Sequence, residues 1–557
     1  MKLKQIIIIS LGWILLGACN KLKDDFNSLL TNPNQPSITS ADVDLYLNQI
    51  QLSFKNFYND VQYYGDNLTR QELMYGPNYK SAYQPQSFDG IWTNAYASVF
   101  TNTNAMLPVA TEQNKFIHAG IAKVIKAYTM ITLVDYFGNV PYSEATKGIE
   151  NTNPKADDGR AVYDSALVLL DDAINDLSQT APAPTNDLFY GGNASNWSAL
   201  AKTLKLKAYV QMRLIDPSVK DKIQALLNEN DLINSSSQDF QFKYGSQNQA
   251  PDSRHPKYAG NYTSTGSGDY LANYFMWVLY EEKGMIDPRI RYYFYRQTTD
   301  IEQDITDPVT LEFTIPCLNR ARPSWYPAGI PFCQVGDGYI GRDHGNNEGI
   351  PPDAQFRTTW GVYPAGGEFD ADQGQSELAA PGIGGKGQGI NPIWLSSFTN
   401  FLKAEAALTL GTSGDPEALM EAGIRASFSK VFAFPATVGV EVPDQFVPTQ
   451  ADQDAYVNLV KSNYEAASTT DDKLEVIMKE YYIALWGNGV EAYNNYRRTG
   501  KPSNMQPDLD PAPGFFIRSF YYPSVYVNLN KSALQKPNPG EQTVKVFWDN
   551  NPDNFVH

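Results

Sequence analysis

A run of apolar residues whose spacing alternates between four and three constrains this chain more than any other feature. Ile117, Ile121, Val124, Tyr128, Ile131 and Val134 reach one face only if the backbone is α-helical. Gly138 can take the left-handed conformation that closes such a helix, and Pro141 cannot continue it. The spacing returns at Val162, Ala166, Leu169, Ala173 and Leu177, and again at Trp197, Ala201, Leu204, Ala208 and Met212. A second helical block starts near Ile393, with Phe398, Phe401, Leu402, Ala406 and Leu408, then Leu419 to Phe428, then Leu474, Met478, Tyr481 and Leu485. Helices joined by short Asn, Asp, Gly and Pro turns predict stacked helix pairs and an all-α fold, although no clean 34-residue repeat is visible.

Between the blocks the periodicity fades. Residues 321–392 hold 15 of the 40 glycines, a density that predicts loops. Long irregular segments in compact proteins are functional or disordered, and the interleaved Trp325, Tyr326, Phe332, Tyr339, Trp360 and Tyr363 argue against disorder, whose composition is poor in aromatics. The segment is therefore expected to be an ordered insertion carrying a surface.

The N-terminus reads as a leader. Lys2 and Lys4 precede an apolar run from Ile6 to Leu16, too short for a bilayer span, where about 20 residues are needed. No later stretch comes close to a span. Leu16-Gly17-Ala18-Cys19 resembles a bacterial lipobox, in which the Cys sulfur is acylated after cleavage before Cys19; an ordinary signal peptide with an incidental Cys is the alternative. The expected division is a signal over 1–18, a lipidated tether over 19–40, a helical region over 41–232, the insertion over 233–392 and a second helical region over 393–557, all forming one body. With 44 Lys+Arg against 61 Asp+Glu the net charge is −17, which disfavours nucleic acid, since phosphate binding needs clustered cations.

Chemical motifs are sparse. Gly382 to Gly387 satisfies G-x-G-x-x-G but lacks the strand before it and the helix after it that would cradle a pyrophosphate. His118, His255, His344 and His557 fit no H-E-x-x-H or triad pattern, and no G-x-S-x-G occurs. No cofactor is implied. Asp337 and Asp343 sit among glycines and offer oxygen ligands to calcium, but EF-hand spacing is not met and Asp also stabilises turns. Cys317 and Cys333 are either two buried thiols or a disulfide, which over a loop of about 15 residues would contribute roughly 3 kcal/mol.

The composition includes 35 Tyr, 27 Phe and 9 Trp with only 19% charged residues. Tyr and Trp suit surfaces that are partly wet and partly apolar. Two aromatic and polar stretches are the best candidates for a ligand surface: Asp66, Arg70, Tyr75, Asn78, Tyr79 and Tyr83, and in the insertion Trp325, Tyr326, Tyr339, Trp360 and Tyr363. Rings stack on the C–H faces of sugars while Asp, Asn and Arg bond to hydroxyls; a peptide could use the same groups.

With the lipobox Cys, the segment Ala127-Tyr128-Thr129-Met130-Ile131-Thr132-Leu133-Val134-Asp135-Tyr136-Phe137-Gly138-Asn139-Val140-Pro141-Tyr142 resembles the signature of SusD/RagB outer-membrane lipoproteins of Bacteroidetes. Asn32-Pro33-Asn34, Ala404-Glu405-Ala406, Tyr496-Arg497-Arg498-Thr499-Gly500-Lys501-Pro502 and Tyr522-Pro523 follow in the expected order, and Asp24-Asp25 resembles the acidic tag of surface lipoproteins. One departure is Tyr526, where an acidic residue often follows the Tyr-Pro pair. The resemblance implies tetratricopeptide-like helix pairs with a loop-rich insertion. It also implies a non-enzymatic surface receptor that captures an oligosaccharide, or alternatively an oligopeptide, and closes as a lid on a SusC-like TonB-dependent transporter. A lipid-anchored helical glycan hydrolase or lyase is the reading from another class. Arg497 and Arg498, at a helix end before Gly500 and Pro502, are expected to be structural.

Overall fold

The computed structural model describes residues 42–372 and 378–557. The leader, Cys19, Asp24-Asp25 and Asn32-Pro33-Asn34 lie outside the described residues. The chain opens with α1 (Val43–Leu68), started by Asp42, whose side chain accepts the Asp44 N–H. A π-helical segment, Thr93–Phe100, runs into α2 (Thr101–Glu112), and α3 (Phe116–Phe137), α4 (Gly159–Leu177), α5 (Ala194–Gln211) and α6 (Val219–Glu229) follow. Shorter elements occupy the middle of the chain, with α7 (Asn273–Tyr280) the longest helix among them. The last block holds α8 (Ser396–Leu410), α9 (Pro416–Thr437), α10 (Gln450–Ala466), α11 (Thr470–Ala484) and α12 (Gly489–Thr499).

The architecture is all-α, with α3 against α4 and α8 against α9 as its main antiparallel partners. Among the described residues, the strands form two antiparallel pairs, β1 (Phe240–Lys243) with β4 (Ile390–Trp394) and β2 (Phe294–Tyr295) with β3 (Thr359–Trp360), beside a few isolated bridges. Ile393, expected at the start of a helical block, is therefore in a strand, and the helix begins at Ser396.

Helix α3 ends at Gly138, whose φ of 72° is open to glycine and whose N–H closes on the Val134 carbonyl. The one-faced pattern read from its sequence understates its burial, because only Phe116 and Lys123 escape the core. Its length and apolarity would suffice for a bilayer crossing, contrary to expectation, but it lies between α1, α2, α4 and α5 as a core helix. A charge within it is fully engaged: Asp135 accepts from Trp548 Nε1 (2.9 Å), Asn494 Nδ2 (2.9 Å) and the Tyr163 hydroxyl, and pairs with Lys207 (3.2 Å).

The two helical blocks are tied by close backbone approach and by buried charge. A Cβ on Gly65 would collide with the Gly489 carbonyl, so α1 and α12 meet backbone to backbone. Arg498 in the last turn of α12 donates to both oxygens of Glu405 in α8 (2.7 and 2.6 Å), and Arg213 donates to the same carboxylate (2.9 Å). Arg497 donates to the Arg518 carbonyl (2.7 Å) and lies 3.7 Å from the Tyr493 ring centre. Both arginines thus have the structural role expected of them. Tyr526 stacks on Trp92 with ring centres 4.8 Å apart, and Asp89 supplies a carboxylate to that corner, accepting from Ser524 Oγ (2.6 Å) and the Val525 N–H (3.0 Å).

Candidate functional site

Trp197, Trp360, Trp394, Trp486 and Trp548 are fully buried, so the rings available to a ligand are few. Trp325 is 46% exposed and Phe515 43% exposed, and both border one recess. The segment carrying Trp325 is held at its ends by a disulfide between Cys317 and Cys333, whose Cα atoms are 5.5 Å apart. Of the two thiol states left open by the sequence, the bonded one is present. The Trp325 indole N–H donates to the Asp508 carbonyl (3.2 Å), which fixes the ring while leaving a face uncovered.

Trp325 stands between two clefts of about 380 Å³ and 370 Å³. The first is lined by Arg320, Phe332, Asn346 and Glu348, with Arg320 paired to Glu348; the second by Tyr79, Phe515, Phe516 and His557. Asp510 and Pro511 belong to both walls. Asp510 accepts from Asn78 Nδ2 (2.9 Å), so the two aromatic stretches seen in the sequence converge here through the 507–516 loop. The backbone N–H of Ala512, and then the Asn78 amide, hold the Asp510 carboxyl below its ordinary range, leaving an ionised acceptor at the rim.

A polar layer supports this recess from beneath. Arg70 donates to the Tyr79 hydroxyl (2.8 Å), the Gln506 carbonyl (3.0 Å) and the His557 carbonyl (2.8 Å), and Tyr79 shares a hydrogen bond with His344 (3.1 Å). Gly345, with φ of 76°, lets the backbone pass where a Cβ would strike the Asp508 carboxylate. Burial pushes Asp508 up to about 7, opposed by the Asp510 N–H and by Arg70. A carboxyl that holds its proton more tightly folded than unfolded stabilises fully below its unfolded value of 3.8, and this contribution is lost as pH rises through about 7. Between about pH 4 and 7 the melting temperature is therefore expected to fall, and Asp508→Asn to flatten that slope; equal slopes in scanning calorimetry would contradict the assignment.

Most of the other sequence candidates are not surface residues. Asp66, Arg70, Tyr79, Tyr83, Tyr326, Tyr339, Trp360 and Tyr363 are all buried. Trp360 stacks on Trp486 (3.9 Å between centres) and donates to Glu72 (3.0 Å); Tyr363 stacks on Tyr293; Tyr339 packs on Tyr280 and Phe294; Tyr83 packs on Tyr64 and Phe88. These rings build the core under the insertion, and Arg70 and Tyr79 support the recess from behind. Trp325, Tyr75 and the half-buried Asn78 remain accessible, with Tyr75 set apart from the Trp325 clefts.

Asp337 and Asp343, weak calcium candidates in the sequence, are engaged by protein donors. Asp343 is buried and accepts from Asn273 (3.0 Å), Gln506 (2.9 Å) and the Cys333 N–H (2.8 Å), while Asp337 takes the Tyr280 hydroxyl (2.8 Å). Among the described residues no three His, Cys, Asp or Glu side chains are grouped to hold a metal. The sequence reading missed Arg320, Glu348, Phe515 and the 507–516 loop. Pro507, Pro511 and Pro513 around two aspartates, followed by Phe515-Phe516, were the available signal: a stiff polar turn ending in an aromatic pair, of which Phe515 is exposed and Phe516 buried.

Two family models match the chain. One, described as starch-binding and associating with the outer membrane, covers residues 31–307; the other, described as SusD and RagB outer membrane lipoprotein, covers residues 379–539. Solved structures share the fold at low identity. A SusD homologue from Bacteroides fragilis is 18% identical with a TM-score of 0.63, covering 91% of this chain and 99% of its own. A SusD/RagB family protein from Bacteroides thetaiotaomicron is 18% identical with a TM-score of 0.63, covering 92% and 100%. A chitin-binding SusD homologue from Flavobacterium johnsoniae is 20% identical with a TM-score of 0.59, covering 91% and 99%. No curated protein matches the chain.

Proposed function

The chain belongs to the SusD/RagB family of outer-membrane lipoproteins, and on that premise we propose that it captures an oligosaccharide at the cell surface in the Trp325 recess and delivers it, as a lid, to a TonB-dependent transporter. The observation that carries the reading is a half-exposed indole held by its own N–H and bordered by Asp510, Asn346 and Arg320. An apolar ring face with charged and amide groups at its edge matches the two-sided chemistry of a sugar. The starch-binding description of the family and the chitin-binding relative support the same class of ligand. Calorimetric titration against a panel of neutral oligosaccharides tests it; no binding to any of them would overturn the sugar reading, and turnover of a bound glycan would overturn the receptor reading in favour of a hydrolase or lyase.

Oligopeptide capture is the second reading, supported by the Arg320–Glu348 pair beside the same ring, since such groups bond to peptide backbone and side chains. A peptide-library pull-down separates it from the first.

The anchor is proposed at Cys19. Replacing Cys19 by Ala is expected to release the protein from membranes into the soluble fraction with its melting temperature unchanged, because acyl chains and not the body hold it there. Membrane retention of that variant in fractionation would refute the anchor. Copurification with a transporter barrel from detergent extracts is the corresponding test of the lid.

A further inference from the structure

A second cleft, of about 460 Å³, is lined by the C-terminal half of α1 from Asn59 to Asp66, by Gly90-Ile91 and by Pro256, Lys257 and Asp269. Its wall holds three carboxyls, Asp60, Asp66 and Asp269, and one cation, Lys257. That cation is already engaged, since Lys257 Nζ lies 2.5 Å from Glu72 Oε2. Asp66 is completely buried; the Gln62 side chain beside it favours its charged form, but no donor meets normal hydrogen-bond geometry at either carboxylate oxygen, and Gln62 Oε1, in the same wall, is buried and without a partner as well. A buried acceptor left unpaired is costly, more so if charged, so these groups are suited to a ligand that brings donors.

We infer that this cleft is a binding site for the ammonium group of an amine-bearing ligand. An ammonium brings three donors and a positive charge to a wall whose three carboxyls outnumber its single, already paired cation, whereas a divalent cation is disfavoured because among the described residues no three acidic side chains are grouped to coordinate one. Lys257 shows how such a group is accommodated: its Nζ sits 5.4 Å from the centre of the Tyr63 ring and 5.7 Å from that of Trp360 while it pairs with a carboxylate. Burial raises Asp60 to about 6, and burial and then the Glu72 charge raise Asp66 well above its ordinary range. The unliganded wall therefore disfavours its own negative charge, and a bound cation relieves that. The two sources of this chemistry are an amino sugar and a peptide amine, and the site is separate from the Trp325 recess, so the inference stands whether or not glycans bind there.

The test is titration of the full chain with three probes: a glucosamine tetramer, its fully N-acetylated counterpart, and trilysine. The expected result is binding of one or both amine probes, weakened at least tenfold by Asp66→Asn and by Asp60→Asn, which lies nearer the rim and bonds to Asn94 (3.1 Å). Binding of the glucosamine tetramer alone assigns the amine to a sugar, and of trilysine alone to a peptide. If neither amine probe binds, or if binding is indifferent to both substitutions or equal for the N-acetylated tetramer, the inference fails. Asp60→Asn and Asp269→Asn keep it decidable should Asp66→Asn not fold.

Discussion

Replacing Arg498 by Ala is expected to cost about 3–5 kcal/mol of stability, the usual penalty for leaving one member of a buried ion pair without its partner. Burial alone would raise the Glu405 carboxyl; Arg498, and then Arg213, override it and hold the group below its ordinary range. Once Arg498 is removed, Arg213 at one edge is the remaining cation on a fully buried carboxylate. The sign with pH follows. A depressed carboxyl stabilises above its unfolded value, and this contribution drains away as the solution is acidified, so wild type and Arg498→Ala should converge at low pH. Urea midpoints measured at neutral and acid pH check both statements. Replacing the three charges together, Glu405→Leu with Arg498→Met and Arg213→Met, should cost much less than Arg498→Ala alone, since an apolar cluster leaves no stranded charge, whereas omitting Arg213→Met would strand that cation. If the triple variant is the less stable one, the penalty comes from packing rather than charge.

Trp325→Ala is expected to weaken ligand binding by about 2 kcal/mol or more, roughly a thirtyfold rise in Kd, as for aromatic anchors at the centre of a binding surface. Its effect on melting should be small, because nearly half of the ring already faces solvent and its single hydrogen bond goes to a loop carbonyl. Tyr79→Ala should behave in the opposite way. That ring is buried and its hydroxyl links Arg70 to His344, so the variant should lose stability first and affinity only as the recess loosens. Parallel titration and calorimetry on the two variants separate the roles; a large melting loss with unchanged affinity for Trp325→Ala would place that ring in the core and remove it from the site.

The helices were readable because their periods are local. Val162 to Leu177 lies within α4, Gly138 closes α3, and Arg498, assigned a structural role from its place before Gly500, sits in the last turn of α12. The pairing of Arg498 with Glu405 could be assumed from neither segment alone. The aromatic insertion was harder. A ring in a glycine-rich stretch is buried or exposed according to what folds over it, and for Trp360 that is Trp486, far along the chain. Composition records the supply of rings and not their neighbours, so Tyr339, Trp360 and Tyr363 read the same as Trp325. The one local distinction was that Trp325 lies between Cys317 and Cys333 on a proline-rich segment. The 507–516 loop carries no period, and beyond its run of prolines and aspartates it is the contacts with Asn78 and Trp325 that reveal its part in the recess.

Helix α3 bears on the journey of the chain as well as on its resting form. A protein of the outer membrane crosses the inner membrane unfolded, and a 22-residue segment containing an 18-residue window with mean hydropathy 1.3 is a hazard there, since the translocation channel can release such a segment sideways into lipid. Lys123 and Lys126 oppose that escape, each costing about 2.5–3.5 kcal/mol near the centre of an inserted helix, and Asp135 adds a smaller penalty near its end. The charges are accommodated afterwards: Lys123 meets Asp176 (2.7 Å), Lys126 donates to Asn104 (2.7 Å), and Asp135 takes its four partners. Neutralising all three is expected to strand the chain at the inner membrane, and fractionation of that variant would show it.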